Sequence, residues 1–103
     1  VKLYKKLASD VRTKEGSAAA YYVLEDVFAG GDMDKAETAI FAYSEREPQA
    51  YWLAKAFILL GDVYVRKGDN FQARATYQSV ADGYSPADDG IVAEAKERIA
   101  KLN

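Results

Sequence analysis

One spacing constrains this chain more than any other: Phe57-x-x-Leu60-Gly61-x-x-Tyr64, then Gly68-Asp69, then Ala73-x-x-x-Tyr77. Apolar positions three and four apart mark one face of a helix. Gly68 can take the left-handed conformation that ends a helix, and the acid beside it caps the next one. The pattern predicts two helices packed back to back across a tight turn. Gly61 and Ala73 are small because the two axes approach closely there, and a larger side chain would push them apart. Tyr64 and Tyr77 are expected to fill the gap where it widens away from that contact. Such a hairpin cannot cover its own apolar face, so it must stack on a neighbour.

A weaker copy lies upstream. Gly31-Asp32-x-x-x-Ala36-x-x-x-Ile40 matches Gly68-Asp69-x-x-x-Ala73-x-x-x-Tyr77 at an offset of 37, and Leu24-x-x-x-Phe28 matches Leu60-x-x-x-Tyr64 at an offset of 36. Tyr21 corresponds to Phe57. Glu25 takes the place of Gly61, which predicts a looser contact in the first hairpin. A repeat of this length is the mark of stacked supersecondary units.

Periodicity and turn residues predict an all-α chain of about six helices. A short amphipathic helix carries Leu3, Tyr4, Leu7, Ala8 and Val11, with Arg12 to Gly16 as the loop after it. The next runs from Ser17 to Ala29 and stops at Gly30-Gly31, with Asp32 as the cap of its successor. That successor places Met33, Ala36, Ala39, Ile40 and Tyr43 on one face and closes at Pro48. A third helix spans about Gln49 to Lys67, with Ala56, Phe57, Leu60, Val63 and Tyr64 inward. Asp69 or Asn70 caps a fourth, whose stripe is Phe71, Ala73, Tyr77, Val80 and Ala81, and Gly83, Ser85 and Pro86 break it. Asp88 or Asp89 opens the last, striped by Ile91, Val92, Ala95, Ile99 and Leu102.

Composition narrows the function. The 103 residues suit one domain, and half are apolar. A net charge of -2 argues against nucleic acid, which selects a basic patch. No apolar run nears the ~18 residues of a membrane span. The chain has no Cys and no His, which removes the usual zinc sites and the Ser-His and Cys-His triads. Asp88-Asp89-Gly90 lacks the alternating carboxylates of a calcium loop and fits a helix cap better. No cofactor and no metal is expected. Glu25, Asp26 and Asp62 leave a carboxylate-based hydrolase as a remote alternative.

The second hairpin resembles the tetratricopeptide repeat (TPR) family, because Phe57, Leu60, Gly61, Tyr64, Ala73 and Tyr77 stand at the family's spacings. Phe57 occupies a position where the family often has Trp, and Pro86 falls one residue late. The resemblance implies antiparallel hairpins stacked as a right-handed α-α superhelix. It divides the chain into a partial preceding repeat (1–12), repeat one (17–48), repeat two (50–86) and a C-terminal capping helix (88–103). Lys96, Glu97, Arg98 and Lys101 make the outer side of that cap polar. The chain starts at Val1 rather than Met, and the expectation is the C-terminal part of a longer bacterial array. The run from Tyr51 to Tyr64 is also similar to repeat proteins of the bacterial cell envelope, which favours a periplasmic or envelope address.

The resemblance further implies a scaffold that binds a peptide or a partner's helix in the groove lined by the first helices. Mapped onto this chain, that groove takes Ala19, Tyr22, Val23, Asp26 and Ala29 from repeat one, and Lys55, Ile58, Leu59, Asp62, Val65 and Arg66 from repeat two. Tyr22, Ile58 and Leu59 would grip an apolar side chain, and Lys55 and Arg66 would meet a carboxylate. Asp62 stands where a carboxylate-binding clamp wants Asn. Each has a structural alternative. Tyr22, Ile58 and Leu59 can serve only to contact the next helix, and Asp62 and Arg66 can pair on a solvated face. Tyr51-Trp52 is either a binding patch or packing at a helix start. The rival to a scaffold is a structural oligomerisation domain of a cell-envelope assembly.

Overall fold

The computed structural model describes residues 14–46, 49–84 and 90–102. Five helices make up the regular structure of these residues, and there is no strand among them: α1 Lys14–Ala29, α2 Met33–Glu45, α3 Ala50–Arg66, α4 Asn70–Gly83 and α5 Ile91–Lys101. The helix expected over residues 3–11 and the roles given to Pro48, Ser85 and Pro86 lie outside the described residues, and the cap of α5 is Gly90, with no side-chain cap bond, rather than the expected Asp88 or Asp89.

The two repeated turns are built alike. Asp32 accepts a hydrogen bond from the Lys35 amide, and Asp69 accepts one from the Gln72 amide, each at 3.0 Å. The glycines before them, Gly31 and Gly68, sit at φ 91 and φ 81. A side chain at either would be strained in that left-handed region. Asp69, rather than Asn70, is the cap of α4.

One boundary differs from expectation. Helix α1 begins at Lys14, so the loop predicted over Arg12 to Gly16 is helical from Lys14 onward. Its first turn is held from outside. Ser17 is fully buried, its Oγ accepts the Gln49 amide at 3.0 Å, and its carbonyl accepts the Tyr43 hydroxyl at 2.8 Å. Such contacts override the weak helix propensity of Gly16.

These bonds also fix direction. The first turn of α1 meets the last turn of α2 and the residue that precedes α3. Lys67, just past α3, reaches Asp34 and Glu37 at the start of α2, at 2.6 and 2.9 Å. Arg98 of α5 approaches Asp62 of α3 at 3.6 Å. The odd helices therefore run one way, and α2 and α4 run the other. Helix α3 touches all four others, whereas α2 and α4 do not touch each other.

The core has two lobes. One gathers Tyr21, Leu24, Ile40, Tyr43, Leu60 and Val63 with their small neighbours. The other gathers Ile58, Ala73, Tyr77, Val80, Ile91 and Ala95. Phe57 and Tyr64 pack against both and join them. Burial follows the repeat: Leu24 and Leu60, Ala36 and Ala73, and Ile40 and Tyr77 are all buried.

Two expectations are corrected. The Tyr77 ring does not lie away from the close contact but on it, and a Cβ built at Gly61 would run into that ring. Gly61 is small to admit the tyrosine. In the first hairpin the partner is the ringless Ile40, and the matching position carries an exposed Glu25. Phe71 does not belong to the inward stripe of α4, for it is 83% exposed. It stands two residues before Ala73, which turns it about 200° away around the helix.

Candidate functional site

Helices α1, α3 and α5 present one common face, with α3 as its floor. Lys55, Asp62 and Arg66 recur along α3 at helical spacing and span roughly 16 Å of its length. The face has an aromatic end and a charged end.

At the aromatic end, Trp52 stands among Tyr21, Tyr22 and Tyr51, with ring centres 5.5, 5.7 and 5.0 Å away. The tilted and edge-on arrangements are those that aromatic quadrupoles favour. The Lys55 ammonium lies 5.6 Å from the centre of the Tyr21 ring and 5.8 Å from that of Tyr51. Both distances are within cation–π range. Tyr22 is 42% exposed. Burial, then the nearby Glu25 carboxylate, pushes the ionisation of Tyr21 above the ordinary tyrosine range, with Glu94 and Asp62 adding to it from the rest of the face.

At the charged end, a cavity of about 350 Å3 opens where α1, α3 and α5 meet, lined by Phe28, Asp62, Val65, Arg66, Arg98, Lys101 and Leu102. Asp62 accepts a hydrogen bond from the Tyr77 hydroxyl, and Arg98 Nε sits 3.6 Å from the same oxygen. Arg98 also pairs with Glu94 at 3.2 Å. Burial raises the Asp62 pKa, although Tyr77 and Arg98 both pull it down. The Arg66 guanidinium carbon lies over the Phe28 ring, 5.0 Å from its centre, within cation–π range. No ion pair among the described residues involves Arg66.

The expected site residues divide. Tyr22, Lys55, Asp62 and Arg66 lie on this face, together with the exposed Val65. Asp26 and Ala29 are exposed on α1 outside the cavity. Ile58 and Leu59 are core residues, 3% and 7% exposed, and Ala19 is buried too. Ile58 packs in the lobe it shares with Ile91 and Ala95 of α5, and Leu59 in the lobe it shares with Tyr21 and Leu24 of α1, so a neighbour closes over α3 on each flank. Val23 lies elsewhere, in a 240 Å3 cavity between α1 and α2 with Leu24, Ala39 and Tyr43. Asp62 pairs with Arg98 and not with Arg66, the partner expected at i,i+4.

Sequence reasoning missed Arg98 and Lys101, which it gave to the outer side of a cap helix. Glu94, Arg98 and Lys101 stand at i, i+4 and i+7 and so share one face of α5. That spacing was the available signal. No group of three carboxylates suited to a metal occurs among the described residues. No helix there is long and apolar enough to cross a membrane. No protein-family model, curated protein or solved structure matches this chain.

Proposed function

We propose that this chain is a protein–protein interaction scaffold of TPR type, which holds a peptide or a partner's helix across the face of α1, α3 and α5. One observation carries the reading. Exposed aromatic rings, and an arginine that joins no ion pair among the described residues, stand on one face of aligned helices, with a cavity beside the arginine. Aromatic and Arg side chains are those that dominate binding energy at interfaces. The arrangement of odd and even helices in two layers, and the repeated burial at matched positions, support the stacked-repeat reading.

The test is panning a random peptide library on the protein and scoring the enriched sequences against the double variant Tyr22→Ser, Lys55→Ser. Loss of roughly tenfold or more in affinity, with an unchanged thermal melt, is the expected outcome. Equal binding by the variant would remove this face from the site. The oligomerisation reading keeps one specific support, the mostly apolar cavity lined by α1, α2 and Arg46. A concentration-dependent dimer in light scattering, abolished by Val23→Glu, would favour it instead.

A further inference from the structure

Phe71 has no part in the core, the turns or the face described above. It is the second residue of α4 and the most exposed large apolar side chain among the described residues. A single exposed ring is ordinary on a protein surface. What sets this one apart is a hole on the same helix. Towards the other end of α4, Val80, Gly83 and Tyr84 face Leu53, Ala54 and Phe57 of α3 across a cavity of about 280 Å3. A cavity of ~150 Å3 with apolar walls already accepts a benzene ring, so a phenylalanine ring fits. Gly83 leaves the wall open, for a Cβ built there would meet no atom within 4 Å. Phe71 cannot fill the hole of its own chain. Val80 lies nine residues on, roughly 13 Å along the helix and turned about 180° around it.

We propose that the hole is filled by Phe71 of a second copy, so that this chain associates with itself head to tail along α4. Charge supports the same pairing. Arg74, one turn beyond Phe71, and Asp82, beside Gly83, put opposite signs at the ring and at the hole, and the hydrogen bond from Gln78 to Asp82 comes from a neutral group. Because ring and hole are different surfaces, each contact leaves one copy with a vacant hole and the other with a bare ring. A contact of this heterologous kind propagates into a ring or an open chain, where a self-complementary patch would stop at a dimer. The hole shares no residue with the cavity on the face of α1, α3 and α5, so self-association and partner binding use separate surfaces. One ring and its rim make a small interface, which places the association among the weak, transient ones.

Two variants test it. Phe71→Ser removes the ring from an exposed position. Gly83→Lys lays a side chain across the hole, and a cation suits the last turn of a helix. Thermal melts check both folds, and Ser79→Lys, at an exposed position in the same lining, replaces Gly83→Lys if that variant melts early. Sedimentation equilibrium from about 10 μM to about 1 mM covers the affinities open to so small a contact. The average mass of the unaltered chain should climb past that of a dimer, and each variant alone should stay a monomer. Mixed in equal amounts, the two variants should form a dimer and go no further, since the ring of Gly83→Lys enters the hole of Phe71→Ser and no second ring-and-hole pair is left. A monomer at every concentration of the unaltered chain, association that survives either variant, or a mixture that stays monomeric overturns the proposal. A dimer kept in Phe71→Ser but lost in Val23→Glu overturns it too, and assigns self-association to the cavity of α1 and α2.

Discussion

Gly61 and Tyr77 are a matched pair, and neither residue type makes sense without the other. The ring occupies the space a Cβ would need, while its hydroxyl goes on to Asp62. Gly61→Ala should therefore destabilise the fold by about 1–3 kcal/mol through overpacking, against the usual gain of Ala over Gly in a helix. Combining it with Tyr77→Leu should recover part of that loss, because the collision is removed. Thermal melts of the two single variants and the double variant measure the coupling, and strict additivity would refute the contact. The need for a small residue at 61 was legible in the sequence. The reason was not, since spacing marks a close approach without saying which atoms make it. Leu59 shows the same limit. Its spacing suits an outward position, yet it is buried in the first core lobe, and an aspartate there would first cost the fold.

At the scale of elements, the turns were readable because their causes are local. Asp32 and Asp69 cap three residues ahead, and Gly31 and Gly68 supply the backbone just before them. The joint between α1, α2 and α3 was not readable, because Ser17 meets residues 26 and 32 positions away. Ser17→Ala removes the acceptor of the Gln49 amide and should destabilise by about 1–3 kcal/mol. The loss should fall mainly on the α1–α2–α3 joint. Hydrogen exchange at residues of α1 should accelerate more than at α5, and uniform acceleration would argue against a local joint. On the opposite end, Lys67 ties Asp34 and Glu37. Its hydrogen bonds hold both carboxylates below their ordinary pKa. That contribution is present above the ordinary carboxylate range and fades as pH falls through the lowered values.

For the whole molecule, the tyrosines set an alkaline limit. Burial pushes Tyr43 up to about 12, and burial also raises Tyr21 and Tyr77. An unfolded tyrosine ionises near pH 10, whereas the folded one keeps its proton, so rising pH favours the unfolded chain. The stabilisation is complete below about pH 10 and is lost as pH climbs towards the folded value, about 12 for Tyr43. Phenolate absorbance of the buried set should rise together with loss of helical circular dichroism. Ionisation of every tyrosine near pH 10 with the helices intact would contradict this packing. The sequence by itself determined the helical class, the caps at Asp32 and Asp69, and the matched spacing of the two hairpins, because these depend on neighbours within a turn or two of the chain. Tertiary structure alone decided which flank of α3 faces solvent, for that depends on α1 and α5 packing to either side of it. It also alone brought Phe28 and Arg98 to the cavity beside Asp62 and Arg66, which share a face of α3 by their spacing. Charges so far apart in the chain interact only after the helices align, and no local pattern records that alignment.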